Sequence, residues 1–471
     1  MERIKQTIGV ILGFLGSIMI GFIIVVTASD PLALYLLLFI TFGVIIFIVA
    51  LARPAIVPYV MAISFAFPFY TFISGYVVTL IQVITAIGIL SLVIRRICST
   101  IKFVELLPLD ASMFVFFLYT SASALVASNH LYYLRAFARV IGFVATYLVV
   151  SRYITNYLVY RRFIRLLVLA AALAALVYIV GFLWFVVVRH VNPLTNPEER
   201  TSISATPFLN PNAFGGFLAT VLPLSLLMFY NPDRKRQRFL EGLVVLSIVF
   251  GVTITGSRGA LLASTVGFAI FYIMGSKGAR LSLLFAIVVF GVVPFLFMFP
   301  DFLLNRFRTA VTLEDYNSVT RYIYFVVALR VFLDHPFTGV GLGNFLAVEP
   351  MQWLSMSDLS KFETLSGVHS IEHAHNALLT IAAELGIGGL AIYTLLVGQA
   401  INIARRNNYL RGFEGKVTKS IIASLAAFWT FGLFEYPLTM ALGPIFFALL
   451  ALISVFPRIN RYRIDNGKIA N

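Results

Sequence analysis

The residues able to do chemistry are unevenly placed in this chain of 471 residues. Four of its six histidines, His335, His369, His373 and His375, fall within 41 residues of one another, the last two in Glu372-His373-Ala374-His375-Asn376. Histidine changes charge near neutral pH, so one at a water boundary suits proton removal from a hydroxyl. The alternative reading of His375 is a polar residue capping the helix that follows. His-x-His beside an acid also raises zinc, but there is no HExxH and no spacing supplies a third ligand, so no metal and no cofactor is expected. Glu384 lies about 13 Å down the same helix at 1.5 Å per residue. A carboxylate at that depth reads either as functional or as a buried hydrogen-bond partner of a neighbouring helix. Glu435, at the outer end of the next apolar segment, is a second acid expected on the same face.

Arginines supply the complementary charge. Arg258 stands in Thr255-Gly256-Ser257-Arg258-Gly259, a tight turn at the start of a helix, where small neighbours and the helix dipole admit an anion. Arg321 opens a segment running to Asp334 whose apolar core is only eight residues long, too short to cross a bilayer and expected to lie at the membrane surface or in an outer mouth. Arg189 and Arg200 share the Pro-, Asn- and Ser-rich stretch from Arg189 to Asn212. Each arginine taken alone also reads as a solvated or interfacial residue. Gly339-Val340-Gly341-Leu342-Gly343 looks like a nucleotide-binding glycine loop, but no strand precedes it, so a turn is expected.

What must hold these residues in place is a membrane scaffold. Hydrophobic residues make up 60% and charged ones 12%, about half the usual charged share of a soluble protein. Fourteen apolar stretches have spanning length: 8–27, 32–51, 55–73, 76–94, 111–127, 132–150, 166–188, 213–230, 240–256, 259–275, 281–299, 376–402, 418–434 and 438–456. The first has too long an apolar run for a signal peptide and reads as a retained span. The net charge of +15 would suit nucleic acid in a soluble protein, but it follows membrane topology here. With both termini cytoplasmic, 25 Lys and Arg residues face the cytoplasm and ten face outward, nine of those ten being arginine. No nucleic acid partner is expected. The lone Cys98 excludes a disulfide framework.

The expected fold is therefore all-α: a polytopic transmembrane bundle of about 14 helices with a large extracytoplasmic loop containing short helices. Three regions are expected. They are an N-terminal membrane region (1–190, about seven spans), a catalytic region (191–402) with outer loops at 189–212 and 300–375, and a C-terminal pair of spans with a cytoplasmic tail (403–471).

Four pieces in order, Arg200 to Asn210-Pro211-Asn212, Gly256-Ser257-Arg258-Gly259, Arg321 to Gly343, and His375-Asn376 with Glu384-Leu385-Gly386, resemble the O-antigen ligase and polymerase family of membrane glycosyltransferases. The resemblance covers roughly residues 195–400. It implies an enzyme of the cytoplasmic membrane, active on the extracytoplasmic face, that takes glycan from a polyprenyl diphosphate carrier. The acceptor would be a lipid A-core sugar in a ligase or another carrier-linked glycan in a polymerase, the reading favoured for this chain, with a chain-length regulator as a further partner. The resemblance also implies essential roles for an outer-loop histidine and two arginines, which fall here on His375, Arg200 and Arg258. The expected roles are His375 and Glu384 in catalysis and Arg200, Arg258 and Arg321 on the diphosphate. Arg189, Asn376, His373 and Glu435 are secondary candidates, and transfer is expected to invert the anomeric carbon without a metal. A lipid-linked sugar or small-anion transporter is the alternative from another class.

Overall fold

A computed structural model of the chain describes residues 43–68, 70–73, 76–98, 105–191, 193, 208, 210–227, 235–274, 316–353, 373–407, 413–438 and 442–469. Thirteen labels cover the helices used below: α1 Gly43–Ala52, α2 Ile56–Ala66, α3 Leu80–Ile97, α4 Asp110–Ala122, α5 His130–Tyr153, α6 Tyr157–Val187, α7 Pro211–Ser225, α8 Lys235–Ile254, α9 Arg258–Ile273, α10 Tyr316–Asp334, α11 Ala377–Arg406, α12 Phe413–Gly432 and α13 Gly443–Ile469.

Among the described residues five helices are long and apolar enough to cross a membrane: α3, α5, α6, α11 and the first 18 residues of α13. Shorter apolar helices accompany them, α1, α2, α9, α4 with its continuation to Leu125, and most of α8. A helical membrane protein is what these elements make, and the described residues do not establish the expected count of fourteen spans. The stretches expected at 8–27 and 281–299, and the start of 32–51, lie outside the described residues.

One expected span is corrected. In place of a helix over 55–73, α2 stops at Ala66, and an antiparallel hairpin pairs Tyr70–Ile73 with Tyr76–Thr79. Pro68 explains the stop, because proline disfavours helical geometry in the residue before it, and Phe67 has φ −129°. The paired residues, Tyr-Thr-Phe-Ile and Tyr-Val-Val-Thr, are aromatic or β-branched types that suit a pleated ribbon. An all-α description therefore needs this one ribbon added.

Helix starts are set by polar caps, each accepting from a backbone N–H that has no partner within its helix. Asn129, Asn156, Asn210, Ser257 and Asn376 cap α5, α6, α7, α9 and α11, and Thr79 with Gln82 forms a reciprocal capping box on α3. Pro211 occupies the first turn of α7, where the missing N–H does no harm.

One continuous apolar core runs from Ala50 to Ile459. Helix α7 is buried almost all round, as expected of a helix with no polar face. Lipid is as apolar as leucine, so helices in a bilayer associate mainly by close packing of small residues. Gly215 and Gly216 provide that on α7. A Cβ on Gly215 would stand 2.8 Å from Thr255 Oγ1, and one on Gly216 would stand 2.5 Å from the Phe431 ring. These glycines draw α7 against the turn before α9 and the end of α12.

Polar contacts mark two ends of the bundle. At one, Arg152 reaches Asp110 at 2.6 Å, Tyr147 bonds Asp110 and Ser454, and Arg458 donates to the carbonyls of Ser151 and Ile154. At the other, Ser128 and the Asn129 N–H bond Asn344, Asn376 bonds the Leu433 carbonyl, and Gly259 lies against Phe434. Helices α5, α7, α9 and α11 all begin at this second end. Four helix N-termini therefore bring their positive dipole ends to the same region.

Candidate active site

The site assembles at that second end from three pieces of chain. Helix α10 carries Arg321 and Tyr324, three residues apart and so on one face. The segment before α11 carries His373 and His375. The segment after α12 carries Glu435 and Tyr436.

Asn376 holds the second and third pieces together. Its Oδ1 accepts from the Leu379 N–H at 3.0 Å, capping α11, and its Nδ2 donates to the Leu433 carbonyl at 3.1 Å. Thr380 Oγ1 donates to the Asn376 carbonyl and accepts from the Ala374 N–H, folding the preceding chain back on the helix. Asn376 thus takes the capping role, and His375 is left facing the site. His375 sits at φ +49°, in the left-handed region that a side chain with a Cβ rarely occupies. Such strain persists only where the surroundings enforce it and concentrates at functional positions.

His375 Nδ1 lies 3.0 Å from Glu435 Oε2. The other carboxylate oxygen, Oε1, accepts from Arg321 Nη2 at 3.3 Å. Tyr324 stacks nearly parallel to the His375 ring, 7° between planes at 5.8 Å. His373 meets that ring edge-on at 4.5 Å, with Tyr436 5.5 Å behind it. The Glu435 side chain is 15% exposed, His375 28% and Arg321 38%, so the carboxylate forms the floor and the arginine the rim. Burial works against charge on Glu435. The hydrogen bond from His375 and the positive charge of Arg321 outweigh it and hold the carboxyl below its usual range. A carboxylate on Nδ1 favours the tautomer with the proton there and leaves Nε2 as acceptor.

Arg258 is the first residue of α9, half-buried, with Ser257 Oγ accepting from the Ala260 N–H. A Cβ on Gly259 would lie 3.1 Å from the Phe434 Cβ, so the α9 start abuts the turn leading into Glu435. Arg189 is exposed at the end of α6, its guanidinium over the Trp184 ring at 5.4 Å. Arg200 and His369 lie outside the described residues. Arg330 donates to the Trp353 carbonyl, and His335 is 3.6 Å from Asp334.

Glu384 has different company. Its side chain is buried near the backbone of Gly343 and Phe345, and Arg139 is its nearby positive charge. Backbone hydrogen bonds pin the glycine loop to α11. Gly341 N–H donates to the Glu384 carbonyl and Val340 N–H to that of Ala383, both at 2.9 Å. Helix α11 is broken at this point, with Gly386 at φ +63°, ψ −162° and the Ile387 N–H turned to the Pro336 carbonyl. Tyr119 closes the break by donating to the Leu385 carbonyl at 2.7 Å. Phe345 then packs with Ile323, Val327 and Val331 of α10 and with Ala374 and Ala383. The loop is a wedge that sets α10, with Arg321 and Tyr324, against the His375 end of α11. Glu384→Ala removes a buried polar group packed against the loop, at a cost of about 1–3 kcal/mol. A lowered thermal unfolding midpoint is the expected result, with Glu384→Gln recovering most of the loss by keeping one carbonyl acceptor.

The folded chain thus brings together Arg321, His373, His375, Asn376 and Glu435, packs the helix start that carries Arg258 against the turn before Glu435, and places Glu384 in the wedge. Tyr324 and Tyr436 were not anticipated, since nothing distinguishes them among 21 tyrosines. The expectation that a third metal ligand is lacking also needs correction. His373, His375 and Glu435 offer one ligand atom each, all within 4.8 Å of one another. The third ligand comes from 60 residues downstream, beyond any local spacing motif.

Residues 242–394 match a family model described as O-antigen ligase. The matched stretch runs from α8 into α11 and includes Arg258, Arg321, His373, His375 and Glu384, while Glu435 lies beyond it. No curated protein matches the chain.

Proposed function

We propose, on the premise that residues 242–394 belong to the O-antigen ligase family, that this chain is a membrane glycosyltransferase. Its donor would be a glycan on a polyprenyl diphosphate, presented at the extracytoplasmic face of the cytoplasmic membrane. The observation that carries the reading is the His375–Glu435–Arg321 chain, a carboxylate-oriented imidazole next to an arginine at the rim.

In this mechanism the acceptor hydroxyl oxygen attacks the anomeric carbon from the side opposite the diphosphate. The carbon–oxygen bond to the diphosphate breaks, and its electron pair leaves with polyprenyl diphosphate. The hydroxyl proton passes to His375 Nε2 late in the transition state. One displacement inverts the anomeric carbon. Charge growing on the leaving diphosphate is met by Arg321 and Arg258, aided by the helix N-termini gathered at this end, and the family resemblance adds Arg200 to this role. Arginine's planar fork suits bidentate phosphate contact. A groove of about 690 Å³ runs along α11 past the Gly386 break, lined by residues including Ile387, Leu390, Leu395, Gly398 and Asn402.

The acceptor separates two versions of the reaction. Chain extension onto a second carrier-linked glycan is the reading favoured from sequence. The description of the matched family favours a single transfer onto a lipid A-core sugar. Purified protein in vesicles with carrier-linked repeat units alone is expected to build a product ladder. A single new product, appearing only when lipid A-core is added, would assign the ligase reaction. Movement of the donor across the vesicle membrane with no new glycosidic bond would overturn both.

A further inference from the structure

We propose that His373, His375 and Glu435 bind a divalent transition-metal ion of the zinc type, and that metal binding and glycan transfer exclude one another. Two imidazoles and one carboxylate form a familiar zinc ligand set with a fourth position open to water. At metal–ligand bonds of about 2.1 Å, tetrahedral donors stand about 3.4 Å apart. His375 Nδ1 and Glu435 Oε2 are at 3.0 Å, and the full set lies within 4.8 Å, so small side-chain rotations close it. The histidines come from one short segment, and the hydrogen bond from Asn376 to the Leu433 carbonyl ties that segment to the one bearing Glu435. Arg321 holds the other carboxylate oxygen, which orients Oε2 toward the ion as outer-shell partners of metal-bound carboxylates do. Its positive charge also limits affinity, so a reversible site is expected rather than a permanent one.

The consequence follows from the shared atoms. An ion on His375 Nδ1 and Glu435 Oε2 displaces the hydrogen bond that orients the imidazole for proton removal. Zinc should therefore switch transfer off, and a chelator should restore it.

The test uses the full-length protein in detergent, with any polyhistidine tag removed, titrated with Co²⁺ as a spectroscopic stand-in for Zn²⁺. One equivalent is expected to bind with the visible absorption of a four-coordinate ion and to be displaced by Zn²⁺. His373→Ala and Glu435→Gln are each expected to weaken binding by at least about tenfold, the lower range for disturbing a metal site. His335→Ala, outside the cluster, should bind as the unaltered protein does. Absence of stoichiometric binding, or binding unchanged in His373→Ala and Glu435→Gln, would overturn the proposal. Should those variants unfold, X-ray absorption of the zinc-loaded unaltered protein decides. Two imidazole nitrogens and a carboxylate oxygen support the site, and any other ligand set contradicts it.

Discussion

His375→Ala is expected to lower glycan transfer by about 10²–10⁴-fold, the range for losing a general base, while the protein still unfolds in one cooperative transition. The fold survives because the ring is only partly buried and Arg321 continues to pair Glu435 when the imidazole is gone. Glu435→Gln tests the same chain from its other end. The amide keeps the shape of the carboxylate but can donate as well as accept, so it no longer selects the Nδ1–H tautomer. By analogy with a triad carboxylate made into an amide, the loss can reach about 10⁴-fold. Residues acting as one unit lose their effect once, so the double variant should be no slower than His375→Ala alone. Initial rates of product formation at saturating donor check all three. Additive losses in the double variant would mean that Glu435 acts independently of His375.

The second large effect is on stability. Gly339→Ala would place a Cβ 2.3 Å from the Glu384 carbonyl carbon, at a backbone φ of +63°. Gly386→Ala would place one 2.4 Å from the Phe337 carbonyl oxygen, also at φ +63°. Left-handed geometry costs a residue with a Cβ about 1–2 kcal/mol, and forcing packed backbone apart adds about 1–3 kcal/mol. Each variant is therefore expected to lose several kcal/mol and to separate the loop from the α11 break. Because the loop wedges α10 against the His375 end of α11, transfer should fall with stability. Gly142→Ala is the contrast: nothing lies within 4 Å of its Cβ position, and a helical alanine is favoured over glycine by about 0.5–1 kcal/mol. Thermal unfolding in detergent, followed for the three variants together, should show two large decreases and none for Gly142→Ala.

How much of this was legible in the sequence depends on how local each signal is. Helix starts at Asn129, Asn210, Ser257 and Asn376 are local, and the apolar stretches beginning near 132, 213, 259 and 376 place the starts of α5, α7, α9 and α11 to within about two residues. The clustering of histidine in residues 335–375 and the excess of arginine among the outward-facing basic residues are also readable from sequence, and they point to His373, His375, Arg258 and Arg321. The partner that orients His375 was not local. Glu435 was visible as an acid at a helix end, but its pairing with Nδ1 depends on α12 returning beside α11, and no spacing rule encodes that return. Glu384 shows the reverse case. A carboxylate in an apolar helix reads equally as functional or structural, and only the backbone bonds from Val340 and Gly341 to the Ala383 and Glu384 carbonyls reveal the wedge it sits in. The glycine run was read as a turn, and Gly339, Gly341 and Gly343 do take positive φ. Its hydrogen bonding into a broken helix was hidden, because the break at Gly386 lies inside an apolar run that continues on both sides. The hairpin after Pro68 was hidden for a similar reason, since its aromatic and β-branched residues also score as a membrane span.

The central claim is that His375 removes the acceptor proton as a sugar leaves a polyprenyl diphosphate. Its most direct measurement is release of free polyprenyl diphosphate from a carrier-linked glycan in vesicles containing the purified protein, compared with His375→Ala. Release matching new glycosidic bonds one to one, and reduced at least about 10²-fold in the variant, is the expected result. Equal release by both proteins, or no release while the donor is consumed or transported, would contradict the account.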